Sequence, residues 1–144
     1  TASTGIAAVN IGGQTFHSWA NLHLGQDPVE IILKKINRNP KRKQTLETAQ
    51  MLAIDEISMI KGDLLDKFDL VMQKLRKNHL PFGGLQVLLF GDFLQLPPIK
   101  DNLFEEKEEK LFVFESDVWR VSGFETFLLT EIFRQKEEKF VNLL

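Results

Sequence analysis

Cysteine is absent from the 144 residues. That excludes a disulfide framework and thiolate-bound zinc, and it fits a reducing compartment. No run of about 18 apolar residues occurs, so no membrane-spanning helix is expected. No signal or transit peptide is visible. Only three histidines are present, His17, His23 and His79, and none shows metal-ligand spacing around a carboxylate. Excess charge is small as well, formally -2, so bulk charge by itself points to no polyanion partner. Internal repeats are lacking. The chain opens at Thr1 inside what reads as a structured motif, so it is expected to be a piece of a longer protein.

What is present is an ordinary globular composition, 43% hydrophobic and 26% charged, in a length that suits one domain with one core. The charge is segregated. Residues 1–100 carry 12 basic and 9 acidic side chains, and residues 101–144 carry 6 and 11. Six basic residues lie between Lys34 and Lys43, a local patch whose default role is solvated surface and whose alternative is a phosphate contact.

Residues 1–22 read as a strand end, a loop and a short helix, with Gly12 and Gly13 stopping the apolar stretch "IAAV". Over 26–37 a helix is predicted, with Asp27 as N-cap, Pro28 at the first helical position and Val29, Ile32, Leu33 and Ile36 on one face. "RNPKRK" (38–43) breaks it. Residues 50–55 suit a short strand buried on both faces. A second helix is predicted over 61–78, with Leu64, Leu65, Phe68, Val71, Met72 and Leu75 as its stripe. "PFGG" (81–84) is a turn, 85–92 a second buried strand, and 93–98 a loop fixed by Pro97 and Pro98. A polar loop is expected over 100–110 and a short capped helix over 113–120. Residues 124–135 read as a strand and a following loop, and 137–144 as the start of a helix. Short apolar strands alternating with amphipathic helices predict an α/β fold with a parallel sheet flanked by helices.

The stretch "MLAIDEISMI" (51–60) ends an apolar run in two adjacent acids. Parallel sheets place their ligand sites at the carboxyl ends of the strands. An acid there can hold a magnesium ion against nucleotide phosphates, and the next can polarise the attacking water. Asp55 and Glu56 are the candidates for those two tasks. The plainer alternative is a cap and a solvated acid. "VLLFGDFLQLPP" (87–98) repeats the pattern, ending in Gly91-Asp92 with Gln95 three residues later. A neutral amide there can hydrogen-bond a terminal phosphate or the attacking water; a surface glutamine on a proline-fixed turn is the alternative.

Four motifs occur in order: "TASTGIAA…IGGQTFHSWANL", "IDEISMI", "PFGGLQVLLFGDFLQLPP" and "LTEIFRQ". Together they resemble the consecutive motifs of the Pif (petite integration frequency) family of superfamily-one DNA helicases, over nearly the whole chain. The resemblance implies a RecA-like motor fold, with residues 1–144 as part of the first such domain and a small wedge-like insertion around 22–45. It implies ATP and Mg2+ as cofactors and 5′-to-3′ movement along DNA. Duplex and G-quadruplex unwinding would follow, in telomere maintenance, replication, repair and recombination. Single-stranded and forked DNA, and the rest of the helicase chain, would be the partners. The location implied is nucleus or mitochondrion in a eukaryote, or otherwise cytoplasm.

Carried over by motif, Asp55 would bind the metal and Glu56 would activate water. Gln95 would contact the γ-phosphate, and Arg134 would stabilise charge on the transferring group, a task suited to a permanent, forked cation. Without the resemblance, Arg134 reads as a surface partner of Glu131 or Glu137. Thr4, Gly5, Thr15, Phe16, His17 and Ser18 would touch DNA. For Phe16, and likewise Trp19, base stacking competes with core packing. The sequence departs from the family in lacking a G-x-x-x-x-G-K-[ST] loop, so these 144 residues alone are expected not to hydrolyse ATP. Two other readings stay open, a non-catalytic module that binds nucleic acid or protein and the helicase part of a rolling-circle transposon.

Overall fold

The computed structural model describes residues 1–22, 25–99 and 110–131. Among them six α-helices and two strands are formed: α1 (Gly5–Asn10), α2 (Phe16–Trp19), α3 (Val29–Asn37), α4 (Pro40–Thr48), β1 (Met51–Ile54), α5 (Gly62–Arg76), β2 (Gln86–Leu89) and α6 (Asp117–Ser122). β1 and β2 pair in parallel, from Met51 opposite Gln86 to Ile54 opposite Leu89. A parallel bridge on the other side of β1 joins Ala2 to Asp55, and Ala2 bridges onward to Thr15. The expected α/β arrangement with a parallel sheet is therefore present.

The core forms where α5 lies against the sheet. All six stripe residues predicted for this helix are buried. Phe68 is the hub: its ring meets Phe16 edge-on at 5.1 Å and Phe82 at 5.9 Å. From β1, Leu52 and Ile54 point into this core. Met51 is 53% exposed and Ala53 is exposed too, so among the described residues β1 is buried on one face and not on both.

Two polar side chains of α5 bind the loops at the start of the strands. Asp69, nearly buried, accepts from the Phe82 amide at 2.6 Å and from Gln73 Nε2 at 2.7 Å. Arg76 donates to the carbonyls of Leu46, Glu47 and Ala49, just before β1, at 2.9–3.1 Å. Through Nε it also donates to Gly83, just before β2, at 2.9 Å. Gly83 has φ +63, and a Cβ there would lie 2.6 Å from the Met72 carbonyl, so only glycine lets this turn pack on α5.

Several expectations shift. Pro28, not Asp27, is the N-cap of α3, and Asp27 instead accepts from Lys35 Nζ at 2.6 Å. "RNPKRK" ends α3 but also starts α4, where the Asn39 side chain caps the Arg42 amide and Pro40 takes the first helical turn. Residues 124–131 form no strand: they pair with neither β1 nor β2, and a strand exists only through such a ladder. Phe124 instead packs on Trp119, with ring centroids 5.0 Å apart. The short helix expected over 113–120 begins as a tight turn at Val113–Glu115 and continues as α6, capped by Ser116. The polar loop over 100–109, the loop at 132–135 and the helix start at 137–144 lie outside the described residues.

Candidate active site at the strand ends

Because β1 and β2 run in parallel, both release their chains at the same edge. After β1 the backbone is held from two sides. The Asp55 amide donates to the Thr1 carbonyl at 2.9 Å, and the Ser3 amide donates to the Asp55 carbonyl at 3.0 Å. Two residues on, the Ile57 amide donates to the Phe90 carbonyl at 2.9 Å, on the β2 side. Between these anchors Glu56 must reverse the chain, and it does so in the left-handed region at φ 54, ψ 47. A glutamate in that region costs about 1–3 kcal/mol and persists only where its surroundings over-determine it. Here the neighbours on either side do so. The Glu56 amide donates to Asp55 Oδ1 at 3.0 Å, and both acids are half-buried.

The loop after β2 passes directly over this turn. A Cβ on Gly91 would stand 3.0 Å from Ile57 N and Cγ2 and 3.4 Å from Ser58 N. Asp92 then holds its own loop. Its Oδ1 accepts from the Leu94 amide at 2.9 Å, and its Oδ2 accepts from Gln95 Nε2 at 3.2 Å. Its carbonyl accepts from the Gln95 amide at 3.1 Å. Gln95 is exposed, and Pro98 buries the far end of the loop. Sequence reading singled out Gln95 and gave Asp92 no task. An Asp whose side chain turns back onto the next two or three residues is the signal that could have found it.

The opening segment reaches the same edge through Ala2. Thr4 Oγ1 accepts from the Ala7 amide at 3.2 Å and caps α1; Thr15 Oγ1 accepts from the Ser18 amide at 3.3 Å and caps α2. Each cap uses an acceptor lone pair and leaves the hydroxyl proton to donate elsewhere. A Cβ on Gly5 would meet nothing within 4 Å, so that backbone is open to close approach. Ser18 is exposed. His17 is half-buried, and burial holds its imidazole below the ordinary value of 6.5. Phe16 is 0% exposed inside the core. It therefore cannot stack on a base without unfolding α2, and its assignment to DNA contact is corrected to core packing.

The basic run divides. The Arg42 guanidinium donates to the carbonyls of Ser18 and Trp19 and so closes the carboxyl end of α2. Lys35 pairs with Asp27, and Lys43 pairs with Glu47 at 3.7 Å. A cavity of about 290 Å³, lined by Gln14, Trp19, Asn39, Lys41, Arg42 and Thr45, opens between α2 and α4. Arg134 lies outside the described residues.

Comparison with known proteins places this edge in context. The family described as PIF1-like helicase matches residues 1–142. The ATP-dependent DNA helicase PIF1 of Candida albicans is 47% identical over 150 residues, covering 100% of this chain and 17% of that protein. The crystal structure of Pif1 helicase from Candida albicans superposes with a TM-score of 0.89 at 45% identity, over 99% of this chain and 31% of that one. Pif1 helicase from Bacteroides, crystallised in complex with ADP-AlF3 and ssDNA, gives 0.80 at 34% identity, over 98% of this chain and 34% of that one. The match spans both strand-end motifs and the opening segment, and the chain belongs to the PIF1-like helicase family.

Proposed function

We propose that this chain carries part of the ATP- and DNA-handling surface of an ATP-dependent DNA helicase, within its first RecA-like motor domain, with residues 22–45 as a small wedge-like insertion. The observation that carries this is the shared edge: Ile57 and Ser58, which directly follow Asp55-Glu56 after β1, lie against Gly91, which leads to Gln95 after β2. The helicase named above, bound to ADP-AlF3 and ssDNA, supports both ligand classes.

Asp55 fits a magnesium site as a hard oxygen donor, half-exposed at a strand end. A Mg2+ ion held there would neutralise charge on the nucleotide phosphates. Glu56, fixed in its left-handed turn, takes the proton of the attacking water. Gln95 hydrogen-bonds that water or the terminal phosphate, and Arg134 stabilises the transferring group. Thr4, Gly5, Thr15, His17 and Ser18 meet the DNA backbone, with movement 5′ to 3′ on single strands and unwinding of forked duplexes and G-quadruplexes.

The test is DNA-stimulated ATP turnover by the full-length protein. Glu56→Gln is expected to lower turnover by about 10²–10⁴-fold, the usual worth of a general base, with nucleotide binding retained. Unchanged turnover would remove Glu56 from that role.

A further inference from the structure

We propose that Asp92 is a positioning residue that grips the amide of Gln95 by its nitrogen and so presents the amide oxygen, a hydrogen-bond acceptor, to the water that attacks ATP. The catalytic half of this inference rests on the helicase reading above; the grip itself does not. An ionised carboxylate only accepts hydrogen bonds, so the Gln95 group facing Asp92 Oδ2 at 3.2 Å is necessarily the NH2 end. The backbone of Gln95 is fixed by the same residue, its amide donating to the Asp92 carbonyl at 3.1 Å. Gln95 is exposed, and no other side chain among the described residues bonds to it. Among the described residues, Asp92 alone therefore sets the orientation of its tip.

The grip uses one of the two Gln95 N–H donors and turns the amide oxygen away from Asp92, which favours the water over the phosphate as its partner. A phosphate oxygen is itself an acceptor and would face the amide oxygen with repulsion. A water molecule has protons to give and is oriented by an acceptor. The carboxylate also polarises the amide it holds and strengthens its oxygen as an acceptor. Gln95 so held aligns the attacking water, while Glu56 takes its proton.

Asp92→Asn tests this cleanly. The asparagine oxygen can still accept from the Leu94 amide, so the turn is kept. The new NH2 now faces Gln95, whose amide must flip and present its own NH2 to the water. In the full-length protein, kcat is expected to fall by about tenfold or more, with KM for ATP changed by less than about twofold. Adding Gln95→Glu to Asp92→Asn restores an acceptor: one oxygen of the new carboxylate accepts from the introduced NH2 and the other faces the water. The double variant should regain most of the lost kcat. A wild-type kcat in Asp92→Asn, a loss confined to KM, or no recovery in the double variant would overturn the proposal. A second readout needs no ATP. In nucleotide-free, ¹⁵N-glutamine-labelled full-length protein, the Gln95 side-chain amide signal is the one missing in Gln95→Glu. It should move in Asp92→Asn, and a signal that stays in place refutes the grip. Absence of turnover in the wild-type protein would sink the helicase reading instead, and the amide signal would still decide whether Asp92 holds Gln95.

Discussion

The turn after β1 and the loop after β2 sit side by side, yet they are held by different means. Asp55-Glu56-Ile57 is held from outside, by Thr1 and Ser3 on one flank and Phe90 on the other. It keeps a glutamate in a left-handed conformation that the local sequence does not favour. Asp92–Gln95 is held from inside, by one aspartate bonding to Leu94 and Gln95. The first arrangement fixes a backbone turn at the cost of strain; the second is unstrained and depends on one carboxylate. The opening segment follows the second pattern, with Thr4 and Thr15 capping their own helices.

Three further experiments on the full-length protein probe that contrast. The largest effect on stability is expected from Gly91→Ala, because its Cβ would press on Ile57 at 3.0 Å and push the two loops apart. A loss of about 1–3 kcal/mol is expected from overpacking, readable as a lower midpoint in denaturant; an unchanged midpoint would mean the loops are not in firm contact. Glu56→Gly separates strain from chemistry. Stability should hold or rise by about 1 kcal/mol, the relief of the left-handed backbone, while turnover is lost. A clear drop in stability would show that the turn is not strained.

The smallest effect concerns the packed side of the opening segment. Burial lowers the His17 pKa, so below the ordinary value of 6.5 the unfolded chain takes up more protons than the folded one. The stability that neutral His17 supports is complete above pH 6.5. It declines as pH falls from there to the lowered folded-state value. His17→Gln should flatten that part of the stability-pH curve, and an identical slope in both proteins would rule His17 out as its source.

Much of the fold was legible in the sequence where one face was apolar at a regular period. The α5 stripe needed nothing else; the two short strands were legible as apolar runs, but neither is buried on both faces among the described residues, and β2 has no fully buried residue. α4 was not legible that way, since Leu46 is its only buried residue; its start was written in Asn39-Pro40 instead. The edge that carries Asp55 and Glu56 followed from the strand-end rule. The left-handed turn at Glu56 did not, because it depends on hydrogen bonds from segments far away in sequence. Phe16 was ambiguous for a related reason. An aromatic ring in a short helix reads the same whether its neighbour is a base or Phe68, and the 5.1 Å contact with Phe68 settles it.

Arg76 sits at the opposite end of the sheet from all of this chemistry, yet it sets the phase of both strands. One guanidinium grips the chain as it enters β1 and again as it enters β2. Slipping β2 by a single residue would carry Gln95 about 3.3 Å along the strand and turn every β2 side chain to the other face. The segment 77–84 therefore has the look of a loop and the tolerance of a ruler: lengthening or shortening it by one residue should misalign the proposed reaction centre, which it never touches.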